Sequence, residues 1–344
     1  MLRPDRYPMQ DFFVLDVMDV VPRSDMASME HPLFSLSTKP ERRLLSYANG
    51  DTTLKIMPSY AGLPTIFDKD LLIYCISHLV HHRNQGRAID RHVRITTHDF
   101  LKSTNRDTSG AAYQRLEGAL LRLRGTTFET NITTGDIETV TGFSLIDEYQ
   151  YARKGNMWRP ERRLEHLEIT LSEWLFRAVD SLEVLALNRD YFRIRSPLDR
   201  RLYELARKHC GSTQQIWRIG AAKLQLKTGS KSTSKEFARH LRGAAQTDAL
   251  PDYAMSLEAD GELVVFQRRR PPARPRGGPA AITADSLDVL VPESVLLQAR
   301  AEARQRNRDF QALKHEFVGF MQASGPPANL AGALLGFVRK KSRL

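Results

Sequence analysis

One order of elements, read twice along the chain, restricts its fold more than any other feature: helix, strand, helix, turn, helix, hairpin. In the first pass, apolar residues recur at helical spacing from Ile66 to His82, through Leu71, Leu72, Cys75, Ile76, Leu79 and Val80. Val93 and Ile95 mark a short strand, and Thr96-x-x-Asp99 opens a short helix with a start like a capping box. A second helix spans Ser109 to Leu123, with Tyr113, Leu116, Ala119, Leu120 and Leu123 on one face. Two strands follow, Thr126–Thr133 and Glu138–Tyr151, joined by the turn Thr134-Gly135-Asp136.

The second pass opens with a strand at Leu167–Leu171, a Ser172-capped helix through Val179 and a strand at Tyr191–Ile194. Ser196-Pro197-x-Asp199 then starts a helix, with a cap, a proline at N1 and an acid in the first turn. That helix carries Leu198, Leu202, Leu205 and Ala206 and ends near Cys210-Gly211. Ile216–Ile219 reads as a strand, Ala221–Lys227 as a short helix and Gly229–Ser232 as a turn. Thr233–Glu236 is a capping box opening a helix through Ala245, and Asp260-Gly261 is the turn of a hairpin with arms Asp252–Leu257 and Glu262–Gln267. At an offset of 124, Ile95, Phe100 and Tyr113 match Ile219, Leu224 and Phe237. The order predicts an α+β fold of two tandem winged-helix domains, a linker and a helical C-terminal tail.

The expected divisions are a flexible N-terminal arm (1–30), a first winged-helix domain (31–160), a second (161–270), a Pro/Gly/Arg linker (271–285) and a helical tail (286–344). The arm is polar and broken by Pro4, Pro8 and Pro22, with one apolar patch at Phe12–Leu15. Thr52–Pro58 alternates as a strand within the first domain. In the tail, Pro292–Arg306, Asp309–Gln322 and Ala328–Val338 look helical, and the tail is a candidate for partner binding.

Charge narrows the function. The 344 residues carry 51 Lys and Arg against 40 Asp and Glu, a net charge of +11, which points to a polyanion partner. Residues 199–245 hold eleven cations against three acids, most of that excess. In a helix–turn–helix the second helix enters the major groove. Its start here carries Ser232, Thr233 and Ser234, whose hydroxyls suit phosphates or base edges, and Lys235, Arg239 and Arg242 follow on one face. Lys227, Ser230, Lys231, Arg200 and Arg201 extend the candidate DNA-binding set, and Arg268 and Arg269 are the arginines of the wing. The first copy offers Lys102, Arg106 and Arg115, but Glu117 interrupts them and Ala111, Ala112 and Ala119 leave that helix small-sided. Accessory DNA contact and dimerisation both suit this copy. The plain alternative throughout is a solvated basic face.

Catalytic patterns are missing from the sequence. His78-x-x-His81-His82 shares a helical face, yet no HExxH and no cysteine pair accompanies it, so a polar helix face is the better reading. Lys227-Thr-Gly-Ser-Lys-Ser lacks the leading glycine of a P-loop. A rolling-circle nickase would want two histidines flanking one apolar residue, and no such triplet occurs. The expectation is a binder, with no catalytic residues, cofactor or metal. Cys75 and Cys210 read as buried thiols in a reducing compartment. No secretory h-region opens the chain, and the uncharged run Ser324–Val338 is too short to span a bilayer, so a cytoplasmic protein without membrane contact is expected.

Four longer runs carry a resemblance: His31–Pro40, Pro64–Ser77, Leu187–Arg195 and Leu198–Gly211. They resemble the plasmid replication initiator protein A family, over about residues 30–270. The resemblance implies an iteron-binding protein that takes up double-stranded repeats at a plasmid origin, helps open them, recruits the host initiator and helicase, and contributes to copy control. It also implies two winged helices, the second reading the repeat more strongly, and homodimerisation through the first. A winged-helix repressor without initiator activity is the competing reading. An origin-nicking enzyme is a more distant one.

Overall fold

The computed structural model describes residues 2–7, 21–38, 41–49, 52–84, 87–131, 133–134, 137–138, 142–154, 163–211, 214–258, 261–269, 284–305, 307–324, 327 and 329–341. Their buried apolar side chains gather into three cores.

The first core starts early. β1 (Arg23–Asp25) leads into the single-turn helix α1 (Met26–Glu30), whose N-cap Asp25 accepts from the Ser28 amide at 2.7 Å. β2 (Leu45–Asn49) and β3 (Thr52–Met57) pair antiparallel. The helix α2 (Lys69–Asn84) is buried along most of its length because two cores use it: Leu71, Leu72, Cys75 and Ile76 face the first, and Ile73 the second. β4 (His92–Thr96), α3 (Thr97–Ser103) and α4 (Gly110–Gly125) follow in the expected order.

The hairpin after α4 differs from expectation. β5 (Thr127–Thr130) leaves to pair with β3, and β6 (Thr133–Thr134) and β7 (Ile137–Glu138) form a small separate ribbon. The hairpin arms are instead β8 (Ile146–Lys154) and β9 (Arg163–Leu171), giving the sheet order β4-β9-β8. Leu167 and Ile169 lie opposite Ile95 and Val93, so the strand expected to open the second unit completes the first. α5 (Glu173–Asp180) also packs in the first core, which runs on to Val184. The boundary expected at 160 therefore falls between two arms of one hairpin.

β10 (Val184–Ala186) returns to pair with β1. Residues 23–30, expected in a flexible arm, are thereby fixed: Arg23, Ser24 and Asp25 are buried, and Met29 enters the second core. The Phe12–Leu15 patch lies outside the described residues. Arg189–Arg193 is a 3-10 turn rather than a strand. A strand would turn Tyr191 and Phe192 to opposite faces, whereas both are buried in one core.

The second unit repeats the first. α6 (Pro197–His209), β11 (Ile216–Gly220), α7 (Ala221–Thr228), α8 (Ser234–Thr247), β12 (Tyr253–Glu258) and β13 (Leu263–Arg268) give the sheet order β11-β13-β12. This is the order β4-β9-β8 again. Adding 124 to the first residues of β4, α3 and α4 gives the first residues of β11, α7 and α8. Asp260 of the hairpin turn lies outside the described residues, and Gly261 has φ of +96°.

The third core belongs to α9 (Ala284–Leu290), α10 (Glu293–Gln305), α11 (Phe310–Ser324) and α12 (Leu330–Lys341). Arg23 pairs with Asp309, the Arg83 guanidinium donates to the Asn307 carbonyl at 3.3 Å, and Arg268 approaches Asp288 at 4.0 Å, tying this bundle to both units. Residues 270–283, most of the expected linker, lie outside the described residues. No helix among the described residues is long and apolar enough to cross a membrane.

Candidate nucleic-acid interface

α8 is set by its ends. Thr233 accepts from the Glu236 amide, and the Glu236 carboxylate accepts from the Thr233 amide at 3.0 Å, so two donors at the helix start are satisfied reciprocally. Phe237, Leu241 and Ala244 bury one face against the second core. Lys235, Arg239 and Arg242 point to solvent on the other, and among the described residues none forms an ion pair with a carboxylate. The expected reader face is therefore present as a surface.

The turn before α8 is tight. Gly229 caps α7 in the left-handed region, with φ of +71°, and a Cβ there would meet the Pro32 Cβ at 2.7 Å. The Gln225 amide donates to the Ser232 carbonyl at 2.6 Å, and the Ser230 and Ser232 hydroxyls lie 2.9 Å apart. These contacts hold the hydroxyl-rich Ser232–Ser234 run at the helix start.

Other expected contacts are already engaged. Lys231 pairs with Glu41 at 3.0 Å, Arg115 with Asp107 at 2.9 Å, and Arg269 with Asp248. Lys227 pairs with Glu30, which also binds His209 and Lys208. Burial alone would raise the Glu30 pKa, but hydrogen bonds from His209 and Lys227 and the nearby lysine charges hold it far below the ordinary range. Lys102 sits over the Tyr7 ring at 5.8 Å, and Arg268 is mostly buried at the foot of the hairpin.

Arg200 and Arg201 require correction. They are 2% and 3% exposed and face the seam between the two units, away from the α8 surface. Arg200 binds Asp70 at 2.6 Å, and Arg106 reaches the same carboxylate at 2.8 Å, which draws Arg106 inward as well. Arg201 donates to the carbonyls of Ser28, Met29, Glu30 and Lys227 and pairs with Glu204 at 3.1 Å. Glu204 also receives Lys69 at 2.8 Å and the Tyr191 hydroxyl at 2.7 Å. Burial would raise its pKa, but Lys69 and Arg201 bring it below the ordinary value. The helical wheel of α6 shows these residues as its polar face. Only the cover supplied by α1 and α2 makes that face interior.

Among the described residues no three His, Cys, Asp or Glu side chains converge as metal ligands. His78 packs on Tyr74, with ring centroids 4.5 Å apart, and its Nε2 is buried without a hydrogen-bond partner. Both cysteines are buried free thiols, and burial raises Cys75 to about 12 and Cys210 to about 11.

Residues 23–255 match the replication initiator protein A family, a span that runs from β1 into the first half of β12. The chain belongs to the replication initiator protein A family. A protein of Wigglesworthia glossinidia brevipalpis named "Putative replication protein" is 38% identical over 265 residues, which is 76% of this chain and 94% of that one. Among solved structures, domains 2 and 3 of RctB align over 71% of this chain and 98% of that one at 12% identity, with a TM-score of 0.51. That likeness concerns the fold alone. The family match thus covers the first unit and the second as far as the start of β12.

Proposed function

We propose that this initiator grips iterons at a plasmid origin with two winged helices, α8 lying in the major groove as the principal reader. One observation carries the reading: α8 presents Lys235, Arg239 and Arg242 on an outward face that makes no ion pair among the described residues, directly after a capped, hydroxyl-rich turn. Arg and Lys reach guanine O6 and N7 in that groove, and the hydroxyls and amides at a helix start suit phosphates. The β12–β13 ribbon takes the place of a wing. The first unit, with Arg115 ion-paired and α4 small-sided, supplies accessory contact, and the open edge of β2 in the sheet β2-β3-β5 suits pairing with a second copy. Duplex opening comes from bending and untwisting, with no nucleotide hydrolysis by this chain, and the host initiator and helicase are the expected partners.

Fluorescence-anisotropy titration of the full chain on its plasmid's upstream repeats and on a shuffled duplex, across a salt series, tests this. A preference for the repeats, steep in salt, is expected. Lys235→Ala or Arg239→Ala then costs about 1–3 kcal/mol on the repeats if the residue contacts a base, and weakens both duplexes equally if it holds only phosphate. Equal weak binding of the parent to both duplexes sinks the proposal. Repeat binding without support of plasmid establishment in cells leaves a repressor.

A further inference from the structure

A second concentration of cations lies away from α8, at the seam where the N-terminal residues cross the head of α2. The Arg3 backbone is held to the second unit at both of its polar groups: its amide donates to the Arg193 carbonyl at 2.8 Å, and the Arg193 guanidinium donates to its carbonyl at 2.9 Å. Three residues later the chain is pinned to the first unit. The Arg6 amide donates to the Asn105 side chain at 2.9 Å, that side chain donates to the Pro4 carbonyl at 3.1 Å, and the Tyr7 hydroxyl donates to the Arg106 carbonyl at 2.8 Å. Asn105 lies in the α3–α4 turn with φ of +55°, so this segment bridges one unit's helix–turn–helix to the approach of the other's α6.

The charges around that bridge are crowded. The Arg200 and Arg3 guanidinium groups sit 4.5 and 6.0 Å from the centre of the Phe67 ring. Arg106 donates to the Phe67 carbonyl and to Asp70, and Asp70 must also serve Arg200. One carboxylate therefore stands against two guanidinium groups, that of Arg200 buried and that of Arg106 partly so. Burial and the charges of Arg200, Arg195, Arg6 and Arg106 lower the Arg3 pKa. The nearby acids are committed elsewhere: Asp5 accepts from the Tyr7 amide, Asp107 pairs with Arg115, and Asp190 pairs with Arg193. Among the described residues Arg3, Arg6 and Arg195 have no carboxylate within ion-pair distance, and all three are exposed. Like charges held together by backbone contacts at a surface favour a multivalent anion.

Position selects the anion. Arg6 lies beside the turn that leads into α4. Arg195 immediately precedes the Ser196 cap of α6, and Asp199 on the first turn of α6 feels the charge of His240 on α8. The patch thus runs from the turn that leads into α4 in the first unit to the start of α6 in the second.

We propose that Arg3, Arg6 and Arg195 form a phosphate clamp that holds the duplex backbone between the two readers, independent of base sequence. The clamp rests on the DNA-binding reading above. It adds a third contact, made by a segment whose sequence shows no regular element.

The test is the salt dependence of full-chain binding to a repeat duplex of about four helical turns and to its shuffled counterpart. Arg3→Ala/Arg6→Ala should lower the slope of log K against log salt by about 2, since each lost phosphate contact removes about 0.9. Both duplexes should weaken by the same factor, leaving their ratio unchanged. Arg3→Lys/Arg6→Lys should restore the slope, because phosphate accepts a point charge. Arg6→Ala alone, which keeps the Arg6 amide and every other hydrogen bond of the bridge, should remove about 0.9 and guards against a double variant that fails to fold. A parental slope in the variants, with parental binding intact, overturns the clamp and leaves the α8 reading standing. A change in the repeat-to-shuffled ratio also overturns it, by making these residues base readers. Failure of the parent to bind either duplex at low salt removes both proposals together.

Discussion

Asp70 illustrates how single residues at the seam decide stability. It is 1% exposed and accepts from Arg200 at 2.6 Å and from Arg106 at 2.8 Å. Removing one partner of a buried ion pair leaves an uncompensated charge, which costs about 3–5 kcal/mol. Asp70→Asn should therefore lower the unfolding free energy by an amount in that range, read from urea titration. A cost below about 1 kcal/mol would show that water reaches the seam. His78 provides a second test at this scale. Burial, followed by the charges of His82 and His81, lowers its pKa from 6.5 to about 4. A depressed folded-state pKa adds stability that is full above the unfolded value and is lost as pH falls from about 6.5 towards 4. Between pH 7 and pH 5 that loss is about 2 kcal/mol at 1.36 kcal/mol per unit. His78→Phe should remove this share of the acid sensitivity, measured as the difference between urea curves at the two pH values. An unchanged difference would mean His78 is solvated.

At the scale of elements, the α7–α8 turn fixes where α8 sits. Gly229 has φ of +71°, and an added Cβ would lie 2.7 Å from the Pro32 Cβ and 3.3 Å from the Tyr47 hydroxyl. Gly229→Ala thus meets both left-handed strain of about 1–2 kcal/mol and a clash with the first unit. The variant should be destabilised by at least that strain and should lose affinity for the repeats. Unchanged binding would mean that α8 docks independently of the turn. This turn was legible from sequence, as were the capping box at Thr233 and the offset of 124 that relates β4, α3 and α4 to β11, α7 and α8. Each rests on local periodicity or local hydrogen bonding. Strand partnership is a different matter. β9 alternates Leu167, Ile169 and Leu171 as any half-buried strand does, and nothing in that pattern says which sheet receives it. Arg200, Arg201 and Glu204 show the same limit on a helix. Their spacing marks a polar face, whereas burial depends on α1 and α2, distant in sequence, closing over it. On α8 the polar face is also the exposed one, so its pattern and its position agree.

The whole molecule combines a continuous body with an appended bundle. Met29 and Ile73 precede the second unit in sequence yet lie in its core at 0% exposure, while Lys69 and Asp70 bind Glu204 and Arg200 across the seam. Separating the units would expose two apolar side chains and strand several buried charges at once, so neither should unfold while the other stays native. The bundle of α9 to α12 is different. It has its own core, including Leu313, Phe317, Leu334 and Val338, and meets the body mainly through polar contacts at Arg23, Arg83, Asn84 and Arg268. Calorimetry of the full chain should therefore show two transitions, with the first and second units melting together in the larger. Leu313→Ala, at a site with 0% exposure, should cost about 2–5 kcal/mol and move the smaller transition down by several degrees while sparing the larger. Leu202→Ala, equally buried in the second core, should do the reverse. If Leu202→Ala instead splits the larger transition, the seam is too weak to couple the units, and the two can change their relative position. If either substitution moves all transitions together, the polar contacts hold the bundle as firmly as a shared core, and α9 to α12 must be counted as part of the body that positions α8.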